Sequence, residues 1–316
     1  MSLPPITPSA IPSAAPLVTV VIATRDRPQM LREAIASVRA QDYPGPIEVV
    51  VVADRSEPDL TLEADDGRVS VRAIANARRP GLAGARNTGI EAAHGELVAF
   101  CDDDDLWLPG KLTRQVAALT ARPEAVLCCC GIRVAYDEHT HDRVLPATEV
   151  GFAALLADRH TELHPSTFLA RTAALRGAVG LVEEEVPGGF GEDYELLLRC
   201  ARAYPVLNVP EPLAVVRWGT QSFFFRRWET MAAGLSWLLA RYPEFETSPR
   251  GSSRIHGQIA FAHAAMGHRR QALGWAGRSM RRNPVEPRAV LALAVAARAV
   301  TPDRVMEALH HRGRGI

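Results

Sequence analysis

What the sequence lacks narrows its partners before any motif is read. Thirty-six basic and thirty-six acidic residues cancel, and no long run of one sign occurs. The broad electrostatic footprint of a nucleic-acid or anionic-membrane binder is therefore missing, and a small-molecule or peptide partner fits better. Cysteine is scarce, at five residues. Cys128, Cys129 and Cys130 are adjacent in an apolar run, not at zinc-ligand spacing, so they read as reduced core residues. No apolar run is long enough to span a bilayer; residues 291–300 stop short. The stretch 1–16 is rich in Pro, Ser and Ala, without the basic start or continuous apolar stretch of a signal peptide, and is expected to be a flexible tail. These absences point to a soluble, cytoplasmic protein.

The chain is long enough for one main α/β domain and an appendage. Residues 18–23 form an apolar, β-branched run, followed by the polar turn Thr24-Arg25-Asp26-Arg27-Pro28 and a helical pattern through Leu31, Ile35 and Val38. The unit recurs. Residues 47–53, 69–75 and 96–101 read as further strands and 83–93 as a helix. Such alternation implies a Rossmann-like α/β fold, a mainly parallel sheet with helices on both faces, whose ligands bind beyond the carboxyl ends of the strands. Residues 125–136 are another strand candidate, and the sequence up to Pro187 is irregular. From Trp228 onward the pattern is helical, and the stretch from Ile259 through Gly267, Ala272, Ala276 and Asn283-Pro284 resembles one tetratricopeptide helix pair. One pair cannot bury its own face. It must pack on the rest of the chain or form a homodimer through these C-terminal helices.

Four carboxylates, Asp102 to Asp105, directly follow the strand candidate 96–101. Acidic runs are commonly just solvated, but a cluster at the carboxyl edge of a sheet repels itself unless a cation is present. Hard oxygen ligands suit Mg²⁺ or Mn²⁺ bridging a diphosphate. Residues 20–27, 48–56, 84–89, 95–109 and 191–199 resemble, in order, the motifs of the inverting GT-A glycosyltransferases of family 2, which include the spore-coat, cellulose and chondroitin enzymes. The resemblance covers residues 17–221 and implies a nucleotide-sugar part over 17–124, an acceptor part over 125–221 and a separate helical region over 222–316.

Several roles follow from that resemblance. Asp102, Asp103 and Asp104 would hold the metal, ribose and phosphates, with Asp104 the direct metal ligand and Asp102 beside it. Ala23, Thr24 and Arg25 fall among the nucleotide contacts, although relatives often carry a tyrosine at the position of Arg25. Asp54 would accept a hydrogen bond from the base; a ring N–H favours uracil or thymine, while guanine also offers donors. An ordinary strand-end turn is the alternative for it. Arg86, in Gly84-Ala85-Arg86-Asn87-Thr88-Gly89, would reach the base or diphosphate. Asp193, paired with Glu192 at a helix start, would be the catalytic base, unless the pair is only a cap. His164 would line the acceptor side or be structural. Trp218-Gly219-Thr220 stands where many relatives have a histidine.

The expected activity is transfer of a sugar from a nucleoside diphosphate donor to an unidentified hydroxyl acceptor, by one displacement that inverts the anomeric carbon. A dinucleotide oxidoreductase is excluded, because the turn after the first strand has no glycine. A non-catalytic sugar-nucleotide binder on the same fold is the alternative, and nucleotidyl transfer matches the Glu-Asp helix start less well.

Overall fold

The computed structural model describes residues 15–136, 138–218, 227–310 and 316. The tail expected over 1–16 lies almost wholly outside the described residues, as do the boundary expected at 221/222 and Gly219-Thr220.

Eleven strands form one sheet: β1 (Val18–Thr24), β2 (Ile47–Ala53), β3 (Ala64–Asp65), β4 (Val69–Ala75), β5 (Leu97–Phe100), β6 (Leu106–Trp107), β7 (Leu127–Tyr136), β8 (His139–Arg143), β9 (Glu149–Val150), β10 (Leu169–Arg171) and β11 (Val206–Arg217). The order along the main path is β3-β4-β2-β1-β5-β10-β7-β11-β6. β1 is parallel to β2 and β5, β2 to β4, and β7 to β11. β10 runs antiparallel between β5 and β7, so β4, β2, β1, β5, β7 and β11 all point one way. Their carboxyl ends share one edge, and short antiparallel strands finish the mixed sheet.

Strand side chains alternate between two cores, as the pleat requires. Val18, Val20 and Ile22 pack with Leu31, Ile35 and Val38 of α1 (Pro28–Arg39) and with Leu112, Val116 and Leu119 of the later helix Lys111–Ala121. Val21 faces the other way, toward Ile90 of α2 (Leu82–Ala92). Numbering Lys111–Ala121 as α3, the remaining elements on the Val21 face are α4 (Phe152–Ala157), α5 (Thr172–Arg176) and α6 (Glu192–Ala203). Each fully buried Leu, Ile or Val contributes about 1.5–3 kcal/mol, so the continuous apolar strands dominate the fold. Cys128, Cys129 and Cys130 are buried and unpaired.

The sequence pattern does not announce β11, because Pro210 and Pro212 interrupt it; the pairing with β7 slips at those positions. The C-terminal helices are α7 (Trp228–Arg241), α8 (Pro249–Ala265), α9 (Arg269–Arg282), α10 (Pro287–Ala296) and α11 (Pro302–His310). Leu235 and Leu238 of α7, Tyr242, Phe245, and Ile255 and Ile259 of α8 join the same core as Tyr194 and Leu197 of α6. Tyr242 also donates to Glu195 Oε1 at 2.8 Å. Thus the helical region packs on the sheet-bearing part of its own chain. Among the described residues no helix is long and apolar enough to cross a membrane.

Candidate active site

The acidic turn begins where β5 ends, and the short turn that leads into the neighbouring strand β10 fixes it. Ser166, in the 3₁₀ turn Pro165–Thr167, accepts the Asp102 N–H at 3.0 Å and donates to Asp105 Oδ2 at 2.5 Å. Asp105 also accepts the Arg217 N–H from β11 at 3.2 Å and is 2% exposed. Burial, with the charges of Asp102 and Asp104, pushes its carboxyl well above the ordinary value. Asp103 and Asp104 turn toward β1: Thr24 donates to Asp103 at 2.8 Å, and Arg27 Nη1 meets Asp103 at 3.1 Å and Asp104 at 2.6 Å. Burial raises both carboxyls, more than Arg27 lowers them.

Arg86 links this turn to the Glu-Asp pair. Its guanidinium bonds Asp102 Oδ1 at 2.6 Å and Glu192 Oε1 at 2.8 Å. Two glycines let α2 lie close enough: a Cβ on Gly84 would sit 1.9 Å from the Arg79 carbonyl oxygen, and one on Gly89 would sit 2.3 Å from Val21 Cγ1. At the other end Gly191, at φ +92°, starts α6 and aims Glu192 at Arg86. The Arg86 side chain is 3% exposed. Burial disfavours its charge, but Asp102 and Glu192 outweigh that and hold it firmly protonated. Glu192 is pushed up to about 7, by burial first and by Asp193 next.

Asp193 is held differently. Arg159 bonds its Oδ2, and Oδ1 accepts the Tyr194 N–H at 2.7 Å. Burial raises the carboxyl, but Arg159, with His164 and Arg86 behind it, holds Asp193 below the ordinary value. The Arg159 guanidinium also lies 5.3 Å from the centre of the Tyr194 ring. His164 Nδ1 lies 3.3 Å from the Ser166 N–H and 3.4 Å from Asp105 Oδ2. Burial lowers its pKa more than Asp102 and Asp193 raise it, so the neutral, metal-binding form is favoured.

One atom from each of Asp102, Asp105 and His164 lies within 4.8 Å of the others. Two carboxylates and an imidazole suit Mn²⁺ better than the all-oxygen shell preferred by Mg²⁺. Arg86 bonds one oxygen of Asp102 and Arg27 one oxygen of Asp104, so each carboxylate keeps a second oxygen that fits a divalent ion. Both Asp105 oxygens, in contrast, accept hydrogen bonds, from Ser166 and the Arg217 N–H, one of which Asp105 would give up to join the set.

Asp54 directly follows β2. It is 8% exposed, and its Oδ1 accepts from Asn76 Nδ2 at 2.8 Å and from the Gly81 N–H at 2.9 Å, which fixes the loop leading into α2. Arg25 is half exposed and sits 3.5 Å from Asp26.

With this geometry in hand, the comparisons are specific. The sequence profile described as glycosyl transferase family 2 matches residues 19–176. The chain belongs to this family. Among its relatives, WfgD of Escherichia coli, a UDP-Glc:alpha-D-GlcNAc-diphosphoundecaprenol beta-1,3-glucosyltransferase, is 28% identical over 165 residues, covering 48% of this chain and 64% of WfgD. A GalNAc(5)-diNAcBac-PP-undecaprenol beta-1,3-glucosyltransferase of Campylobacter jejuni is 35% identical over 103 residues, 31% of this chain and 33% of the relative. The chain thus spans less than two thirds of either enzyme. Staphylococcus aureus TarS 1-349 in complex with UDP-GlcNAc has a TM-score of 0.57 at 18% identity, covering 94% of this chain and 92% of that one. The mannosyltransferase PcManGT of Pyrobaculum calidifontis, in complex with GDP-Man and Mn2+, scores 0.55 at 18%, covering 96% and 86%. These likenesses establish the GT-A fold with its C-terminal helices.

For a family 2 chain, the structure brings together Asp102, Asp103, Asp104, Arg86, Glu192, Asp193, His164 and Thr24, with Asp54 at the loop entering α2. Arg27, Arg159 and Ser166 were not singled out in the sequence, and Asp105 received no role. Asp105 had a signal, its place in the acidic run; Arg159 had none, lying in an irregular stretch.

Proposed function

We propose that the chain is a metal-dependent, inverting glycosyltransferase that moves a hexosyl group from a nucleoside diphosphate sugar to an acceptor hydroxyl in the cytoplasm. UDP is the first choice of nucleotide, with dTDP or GDP as alternatives. The observation that carries the reading is the Arg86 bridge, which sets the acidic turn expected to face the donor against the Glu-Asp pair expected to face the acceptor. The UDP-Glc in the name of WfgD and the UDP-GlcNAc seen with TarS support the donor class. Asp54 supports UDP, since its Oδ2 makes none of the loop hydrogen bonds of Oδ1, facing Arg55 Nε at 3.9 Å, and a uracil N3–H can donate to it.

In this reading Asp193 takes the proton of the acceptor hydroxyl, and Arg159 keeps it ionised and aimed until the acceptor arrives. Glu192, with its side chain 4% exposed, braces Arg86, and Arg86 holds Asp102 in place. Asp102, with Asp105 and His164 or with Asp104, would hold Mn²⁺ or Mg²⁺, which when bound neutralises charge on the leaving diphosphate. Attack by the acceptor on one face of the sugar inverts the anomeric carbon. Residues 17–221 are assigned to donor and acceptor binding and 222–316 to a helical support.

A thermal-shift screen of UDP-, dTDP- and GDP-sugars with Mn²⁺ tests the donor, because a tight ligand stabilises the folded state by mass action. NMR of the product tests inversion. A UDP-sugar is expected to raise the melting temperature and give the opposite anomer. Donor binding with no transfer to any hydroxyl acceptor would favour the non-catalytic alternative, and a retained anomer would refute the single displacement.

A further inference from the structure

The balanced charge of the whole chain conceals a partition. Residues 227–316 contain fourteen arginines, no lysine and six carboxylates, and residues 1–226 carry the compensating acidic surplus. Part of this positive charge converges on a pocket. It is lined by Glu246, His256, Trp275, Arg278, Arg281 and Arg282, from α8, α9 and the 3₁₀ turn Pro243–Thr247. None of these residues belongs to the candidate active site.

The lining is built around Trp275. The Arg278 guanidinium lies 4.5 Å from its ring centre and the His256 ring 5.3 Å away. Glu246, the single carboxylate of the lining, is paired with Arg282. Among the described residues no carboxylate pairs with Arg278 or Arg281. His256 is 8% exposed, and its Nδ1 is buried without a hydrogen-bond partner among the described residues. His256 therefore lines the pocket through its ring edge, while two guanidinium groups of the same lining have no carboxylate among the described residues to balance them.

Two uncompensated guanidinium groups lining one pocket call for an anion with several acceptor oxygens, and guanidinium forks match phosphate oxygens in geometry. We infer that this pocket binds a phosphate or diphosphate group, with Arg278 and Arg281 supplying charge and donors and the His256 ring beside it. The group has two sources with one chemistry: a soluble phosphate ester or the headgroup of a phospholipid. This inference stands apart from the transferase assignment, because nothing in it depends on the acidic turn or on Asp193.

The test uses the full chain in excess EDTA, labelled with ¹⁵N in its histidine rings, with the His256 resonance identified by its loss in His256→Gln. Inorganic pyrophosphate is titrated in one arm; vesicles of phosphatidylcholine, with and without phosphatidic acid, are added in the other. The expected result is a saturable shift of the His256 resonance that the Arg278→Ala/Arg281→Ala variant weakens at least about tenfold, the scale of one lost charge-assisted hydrogen bond. Both arginines are exposed, so the variant should keep its melting temperature. A shift with pyrophosphate identifies a soluble ligand, and a response only to phosphatidic acid vesicles identifies a lipid headgroup. No response in either arm, or one unchanged in the double variant, overturns the inference.

Discussion

Arg86 and Glu192, 106 positions apart, share a hydrogen bond of 2.8 Å between side chains that are 3% and 4% exposed. The same guanidinium holds Asp102, so one buried cation bonds a carboxylate from each half of the candidate site. Removing one partner of a buried pair strands the other charge, which typically costs about 3–5 kcal/mol. Arg86→Met is therefore expected to lose stability on that scale in urea unfolding, and to lose donor binding. A variant of unchanged stability would mean that the bridge is incidental.

Asp193→Asn keeps side-chain size and removes basicity. If Asp193 is the base, turnover should fall about a hundred- to ten-thousandfold while donor affinity changes little, and the melting temperature should drop through the lost ion pair with Arg159. Steady-state rates together with calorimetry of donor binding check this. Near-normal transfer would assign the proton to another group.

If Asp193 is the base, Arg159 should set the acid limb of the pH profile. Its charge favours ionised Asp193 and lowers the pKa of the folded protein, so the stability contributed by this pair is present at neutral pH and lost as pH falls through that lowered value. In Arg159→Gln the Asp193 pKa rises toward the ordinary carboxylate value. The acid limb of kcat/KM should then move to higher pH, and an unmoved limb would separate Arg159 from the base.

The proposed metal has two candidate ligand sets: Asp102 with Asp104, as the motif suggests, or Asp102 with Asp105 and His164, as proximity suggests. Changes around a metal's ligands already cost about ten- to a hundredfold in affinity, and loss of a ligand should exceed that. Mn²⁺ binding measured by paramagnetic resonance on Asp102→Asn, Asp104→Asn and His164→Ala distinguishes them. Asp102→Asn is expected to fail in both cases, while the other two identify the set. Full turnover in excess EDTA would exclude a metal altogether.

Phe245 packs edge-on against Tyr194, at 6.2 Å between ring centres, beside the candidate base. Phe245→Ala should cost about 3–5 kcal/mol through the cavity it leaves. Because α7 and α8 share a core with α6, the whole chain is expected to unfold in one calorimetric transition. Two separated transitions would make the helical region an independent unit.

The sequence by itself determined the strand–helix frame and the family. The apolar runs at 18–23 and 47–53, with the alternating 69–75, suit strands of a sheet packed between helices, and strand ends are where such sheets expose polar side chains. That logic puts the loops beginning at Thr24, Asp54 and Asp102 at one edge, and the resemblance to family 2 adds the Glu-Asp pair. Tertiary structure decided the pairings. Arg27 reaches Asp104 across 77 positions, Arg159 reaches Asp193 across 34, and the helical region found its cover on its own chain. Periodicity reports which face of an element is buried, but not which element buries it. The partner of a charge is set by strand order and helix packing, which is why β11, interrupted by its prolines, and the grouping of Asp105 with His164 emerged only from the folded chain.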